Sequence, residues 1–272
     1  MTYGWAILII AIVMVALFQL GVFNGTFFAP RATAGACEVY RSIASVSLAG
    51  QCNNELPQFV AQFNGASSYV QVSASQAIDT SSSVTISAWI FASGSNADKI
   101  AGTYYGNYYG YLLWMGGPLS LTFTVGGGPS INYNVNSQAI AANQWTMVTG
   151  IYNSTSSTIY LYVNGKMSSY EANVLTASYS SQPFVIGKDA WDIYGPFAGS
   201  ISNVQLYNIS LSQSEVTALY DDGIGGAPVD PTHIVGWWPL NGNAQDYSGN
   251  NNGGTPTNVL YTGSWTSGYT QP

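Results

Sequence analysis

The sequence predicts a mainly β chain: a long apolar α-helix, then an antiparallel β-sandwich or jelly roll. Three observations predict it. Residues 3–23 form an apolar run without a charge, in which Gln19 is the one strongly polar side chain. From Gln58 onward, short alternating segments are separated by clusters of Gly, Asn and Ser, the pattern of strands and turns. Within that region one segment alone carries helix start and stop signals.

The apolar run is about the length that spans a bilayer and exceeds a secretory signal core. Gly4 and Gly21 lie near its ends, and Ala6, Ala11 and Ala16 recur along it. Small residues let helices approach closely in an apolar setting. Hydropathy alone implies a membrane-length helix and leaves signal peptide, membrane anchor and self-packing helix open; Tyr3, Trp5, Ile9, Ile12, Val13, Ala16, Leu17 and Leu20 are the residues that would pack in a filament core if the resemblance given below holds. Asn24-Gly25 and Ala29-Pro30 end the helix. The expected division is therefore a helix over 1–28, a connector over 29–57 and a β domain over 58–272. No basic residue precedes the run, and the first is Arg31 on its far side. Basic residues normally mark the cytoplasmic flank. The expectation is that a basic leader stood upstream and was removed, as in prepilins, with the mature N-terminus a few residues before Met1.

The connector holds both cysteines, Cys37 and Cys52. In an oxidising compartment they would pair, and closing a loop of that size contributes about 3 kcal/mol. Two free buried thiols are the alternative. Metal binding is disfavoured, because the single histidine, His233, lies far along the chain.

In the β region, Gln62-Phe63-Asn64-Gly65 leads into Tyr69-Val70-Gln71-Val72. Residues 84–91 alternate, with Val84, Ile86, Ala88 and Ile90 on one face and Thr85, Ser87 and Trp89 on the other. Residues 119–125 alternate as well. The runs 145–152 and 158–163 are followed by Asn164-Gly165, the strongest short hairpin signal. Residues 184–186 and 201–207 add strands. Ser212-Gln213-Ser214-Glu215 is a capping-box pattern, Val216, Leu219 and Tyr220 make an apolar side, and Gly223 can end that helix.

Two resemblances sharpen this picture. The stretch MTYGWAILIIAIVMVALFQLGVFN resembles the helix of archaeal type IV pilin-like proteins with class III signal peptides. That resemblance implies a helix that first sits in the membrane and then packs in a filament core. The pieces AQFNGASSYVQV, SVTISAWIF, NQWTMVTGIYNSTSSTIYLYVNGK, FVIGKD, FAGSISNVQLYNISLSQSEVTALYDDG and VGWWPLNGNAQDYSGNNNGG resemble the laminin G-like, or concanavalin A-like, jelly rolls. In that family a strand like the last piece usually opens the domain, whereas here it comes last. Either the domain is circularly permuted and complete in itself, which is favoured, or the strand completes a neighbour's sheet.

Composition narrows the function. Charged residues are 6% of the chain, 5 basic against 12 acidic, for a net charge of −7. That balance excludes a nucleic-acid partner, which needs basic surface. Hydroxyls and amides take over the surface, and such a surface changes little as pH falls. Three sequons start at Asn24, Asn153 and Asn208. Asn153, in a polar stretch between two strand-like runs, is the best acceptor.

The chemistry expected is binding and assembly, with no enzyme activity. A glycoside hydrolase needs two carboxylates facing a sugar cleft, and no closely spaced acidic set on one strand occurs. Asp189 with Asp192 is the nearest pair beside aromatics. No nucleophile elbow or phosphate loop is present. No cofactor is required. Asn241, Asn243, Asp246 and Asn250 crowd one loop, and Asn241, Asn243 and Asp246 are the candidate calcium ligands, against an Asx-rich turn as the plainer account. The candidate glycan contacts are Tyr105 and Tyr109, in a tyrosine-rich stretch, and Trp191, Asp192 and Tyr194; ordinary packing is the competing account.

The expectation is thus an extracellular filament subunit, a pilin whose helices form the core and whose β domains form an adhesive sheath. Its partners are its own copies, surface glycans or other cells, and the membrane before assembly. The alternative is a membrane-anchored laminin G-like lectin that does not polymerise.

Overall fold

The computed structural model describes residues 40–41, 48–49, 56–78, 82–94, 98–104, 106, 109–174, 177, 181–190 and 195–272. All belong to the unit Thr33–Pro272. The expected helix over 1–28, Cys37, Cys52 and Asn24 lie outside the described residues. So do Tyr105, Trp191, Asp192 and Tyr194.

In the connector, β1 (Tyr40–Arg41) pairs antiparallel with β2 (Leu48–Ala49), Tyr40 opposite Ala49. The rest is two antiparallel sheets packed face to face. The first sheet holds β3 (Val60–Asn64), β5 (Val84–Ala92), β10 (Trp145–Asn153), β11 (Thr158–Val163), β12 (Lys166–Ala172), β14 (Ala198–Tyr207), β15 (Ile234–Trp238) and β17 (Leu260–Thr262). The second runs β16 (Gly254–Thr257), β4 (Tyr69–Val72), β13 (Phe184–Ile186), β6 (Lys99–Gly102), β7 (Tyr111–Gly117), β8 (Ser120–Gly128) and β9 (Ile131–Ala139), in that spatial order.

The alternation of β5 sorts its side chains as the sequence predicts. Val84, Ile86, Ala88, Ile90 and Ala92 enter the core between the sheets. The other face is covered too, so nearly the whole strand is buried. Trp89 joins a second apolar cluster with Met147, Ile151, Val216, Leu219 and Trp265. The helix α1 (Gln213–Asp221) supplies two of those residues. Its Tyr220 stacks on Trp89 with ring centroids 5.7 Å apart. Ser212 caps it as predicted: its hydroxyl accepts from the Glu215 amide, and its own amide donates to the Glu215 carboxylate at 2.6 Å.

Asn164 and Gly165 form the predicted turn between β11 and β12, with φ of 49° and 73°. A Cβ on Gly165 would come within 2.9 Å of the Tyr220 Cβ, so the turn also needs glycine to seat the helix. The Gly165 carbonyl accepts from Gln213 Nε2 at 2.7 Å.

The final strands stay within their own chain. β15 pairs the second half of β14, beside β3, which pairs the first half. β16 pairs β4 and β17 pairs β3. The segment that comes last in the sequence therefore closes both sheets itself, the self-complete arrangement. Trp238 crosses the core and stacks on Phe184 of the other sheet at 5.1 Å. Strands β6, β7, β9 and β12 carry no local apolar alternation that marks them in the sequence. β6 and β7 are interrupted by bulges and glycines, and β9 and β12 are polar edge strands.

Candidate functional site

The outer face of the second sheet is a polar ladder. On β7, β8 and β9 the inward positions are Leu113, Met115, Leu121, Phe123, Val125 and Val135. Period-2 alternation then turns Trp114, Thr122, Thr124, Asn132, Asn134 and Asn136 outward. Trp114 Nε1 donates to the Thr124 hydroxyl at 2.8 Å, and that hydroxyl donates to Asn134 Oδ1 at 2.6 Å. One step along, Thr122 donates to Asn136 Oδ1 at 2.7 Å. Each buried hydroxyl thus pins the oxygen of an exposed asparagine and leaves the amide N–H groups of Asn134 and Asn136 facing outward.

Charge is concentrated beside this ladder. Lys99, opposite Trp114 in the β6–β7 register, places its ammonium 3.9 Å from the indole centroid. A cation over an aromatic face is worth about 2 kcal/mol when desolvated. Asp98, Lys99 and Asp189 are all at most 4% exposed, in a chain that is only 6% charged. Burial lowers the Lys99 amine to about 8, and the carboxylates of Asp189 and Asp98 oppose that shift. Asp98 Oδ2 also accepts from the Ala198 amide at 3.3 Å.

The loop between β13 and β14 is anchored here. Gly187 donates to the Ile100 carbonyl and accepts from the Phe197 amide, each at 2.8 Å, and Pro196 bridges to Lys99. Trp191, Asp192 and Tyr194 belong to this loop but lie outside the described residues. Tyr109 is half-buried in the loop that leaves β6 at its other end, Gly102. Tyr109 and the described loop anchors Gly187 and Pro196 therefore lie toward opposite ends of β6. Asp189, the described member of the acidic pair, is buried with Lys99.

The candidate calcium residues have other partners. Asn241 Oδ1 accepts from the Phe59 amide at 2.8 Å, and Asn243 Oδ1 from the Gln245 amide at 2.9 Å. Asp246 uses both oxygens: Oδ1 accepts from Trp237 and Ser248, and Oδ2 from Asn252. These bonds compete with cation ligation. Among the described residues no group of three or more His, Cys, Asp or Glu side chains gathers around a common point. His233 bonds Asp230 at 2.7 Å in the turn before β15. Of the sequons, Asn208 is exposed, whereas Asn153 is half-buried with Oδ1 accepting from Thr155 and Ser156.

Trp114 and the Thr–Asn ladder are not among the site residues expected from the sequence. The signal was present: asparagines at 132, 134 and 136 repeat with the period of a strand, opposite the alternation of 119–125.

Comparisons place the fold. Among solved structures, a candidate carbohydrate-binding protein from Bacteroides ovatus superposes with a TM-score of 0.59 at 20% identity, over 76% of this chain and 60% of that one. The native heptameric SAP-like pentraxin from Limulus polyphemus superposes with a TM-score of 0.55 at 14% identity, over 75% of this chain and 94% of that one. No curated protein matches. The laminin G family model described as the concanavalin A-like lectin/glucanases superfamily matches residues 64–217. The match ends before β15. With more than half of its length matched, the chain belongs to the concanavalin A-like lectin/glucanases superfamily.

Proposed function

We propose that this chain is a glycan-binding surface subunit whose outer second-sheet face holds saccharide. The observation that carries this reading is the ladder from Trp114 through Thr124 to Asn134. It offers a row of oriented amide donors beside an indole, the combination that binds sugar hydroxyls and ring faces. Fold-level analogy agrees, since the Bacteroides ovatus relative is described as a candidate carbohydrate-binding protein. Binding, not catalysis, is the activity. The buried carboxylates of Asp98 and Asp189 lie beside Lys99, away from any attacking water. No cofactor is needed, and Asn241, Asn243 and Asp246 are read as serving the turn, with calcium as the alternative that the chelator experiment decides.

The test is binding of the full chain to an array of immobilised glycans. Asn134→Ala with Asn136→Ala should weaken binding about tenfold or more, at about 1 kcal/mol per hydrogen bond lost. Unchanged binding would overturn the assignment of this face.

A second reading concerns display. The uncharged run over 3–23, with its recurring small residues, favours a pilin-type helix that leaves the membrane to form a filament core at the cell surface. Burying that surface is favourable by roughly 25 cal/mol per Å². Filaments sheared from cells and viewed by electron microscopy, with mass spectrometry of their subunit, test this. Recovery of the chain only as single detergent-soluble subunits would favour the anchored lectin.

The brace between helix and sheath is the proposed Cys37–Cys52 bond.

A further inference from the structure

On the other side of the sandwich, beside the outer face of the first sheet, lies a cleft of about 380 Å³. That volume is toward the lower end of the roughly 300–1,000 Å³ typical of small-molecule sites. It opens where the C-terminal tail crosses the ends of β3, β5 and β14. Nothing in the proposed binding face uses it.

The tail that forms one wall is firmly fixed. Trp265 is 6% exposed and donates Nε1 to the Pro57 carbonyl at 3.0 Å. The Trp265 carbonyl in turn accepts from Trp145 Nε1 at 2.9 Å. The two indoles meet edge to face at 5.9 Å, and Phe91 packs on Trp145 at 5.8 Å. Gly199 forms part of the floor at φ 147°; a Cβ there would lie 2.1 Å from the Phe91 carbonyl oxygen. The cleft is preformed and needs no ordering on binding, which favours affinity.

The chemistry of the lining is one-sided. Not one of its residues carries a charge. Phe91, Trp145 and Trp265 supply the apolar wall, with both indole N–H groups already used inside the protein. Two polar lining residues, Asn64 and Thr262, accept from backbone amides of their own turns. The rest of the rim is short hydroxyls and an amide: Gln62, Ser93, Ser200, Ser264 and Ser267. Their side chains make no hydrogen bond to another described residue, unlike the ladder of the second sheet, whose hydroxyls are all paired.

An ionic ligand would find no counter-charge there, and a purely apolar one would strand the rim. From this we infer that the cleft is a second saccharide site, for an uncharged, polyhydroxylated ligand that sets a ring face against Phe91, over the edge of Trp265, and its hydroxyls on the rim. This rests on the reading of the chain as a glycan binder and extends it. A subunit with sites on both faces would cross-link glycans, and repetition along a surface multiplies avidity.

The experiment is hydrogen–deuterium exchange of the full chain in detergent, with and without neutral gluco-, manno- and galacto-configured tetrasaccharides. At least one should slow exchange in the segments 59–64 and 262–268. Ser200→Trp, which fills the cleft, should abolish that protection, whereas Asn134→Ala with Asn136→Ala should leave it intact. An acidic oligogalacturonate should protect at least tenfold more weakly at equal concentration. The inference is overturned if no neutral sugar protects these segments, if Ser200→Trp leaves protection unchanged, or if the acidic sugar protects equally. Protection here that survives while the 120–139 segment is silent would sink the second-sheet reading alone. The reverse pattern would sink this one alone.

Discussion

The Lys99 ammonium lies 3.9 Å from the centre of the Trp114 ring, and the two residues face each other across the β6–β7 register. The contact ties a buried charge cluster to the hydrogen-bonded ladder of the outer face. Held from one side by Lys99 and from its N–H by Thr124, the indole has a single orientation. The ladder is therefore expected to respond to changes at Lys99.

Stability should depend on pH through this lysine. Burial sets its folded pKa at about 8, below its ordinary 10.5. Below about pH 8 both folded and unfolded chains carry the proton, and the cost of burying the charge is full. Between about 8 and 10 the folded chain releases the proton first, so stability should rise with pH. Above about 10 the trend should reverse, because burial raises the hydroxyls of Tyr162, Tyr207, Tyr261 and Tyr269. Urea unfolding at pH 7.5, 9 and 10 reads the slope. Lys99→Met should lose the rise and, by leaving Asp98 and Asp189 without their cation, cost about 3 kcal/mol.

Gly165→Ala should destabilise the domain by about 1–2 kcal/mol. The residue sits at φ 73°, and the added carbon meets Tyr220 at 2.9 Å. Thermal melting measures the loss. A melting temperature equal to wild type would mean that the helix moves aside without cost.

Asp246→Ala should cost about 2–3 kcal/mol, because three backbone amides lose a charged acceptor. If the carboxylate serves the turn in this way, a chelator will leave the melting temperature of the wild type unchanged. A fall on adding chelator, restored by calcium, would instead support cation binding at this loop.

For the connector, peptide mapping under non-reducing conditions should recover residues 37 and 52 in one linked species. Alkylation of both thiols without prior reduction would contradict the proposed pairing.

Much of this fold was legible because local signals and tertiary packing agreed. The alternation of 84–91, the Asn164-Gly165 turn and the Ser212 cap all report short-range physics, and each appears in the structure where the pattern set it. The edge strands β9 and β12 were missed because polar strands have no apolar face to betray them. The candidate site was missed for a related reason. Trp114, Thr124 and Asn134 come from three strands, and only the pairing of β7 with β8 and of β8 with β9 brings them into one row. The cleft beside the first sheet was less legible still. Trp265 meets Trp145 across a long stretch of chain, by a tail whose course no local pattern encodes.

The measurement that tests the central claim most directly is hydrogen exchange over β8 and β9 in the presence of a saccharide selected on the glycan array. The account predicts slowed exchange in residues 120–139, lost when Asn134 and Asn136 are both replaced by alanine. Identical exchange in those residues with and without a bound saccharide would contradict it.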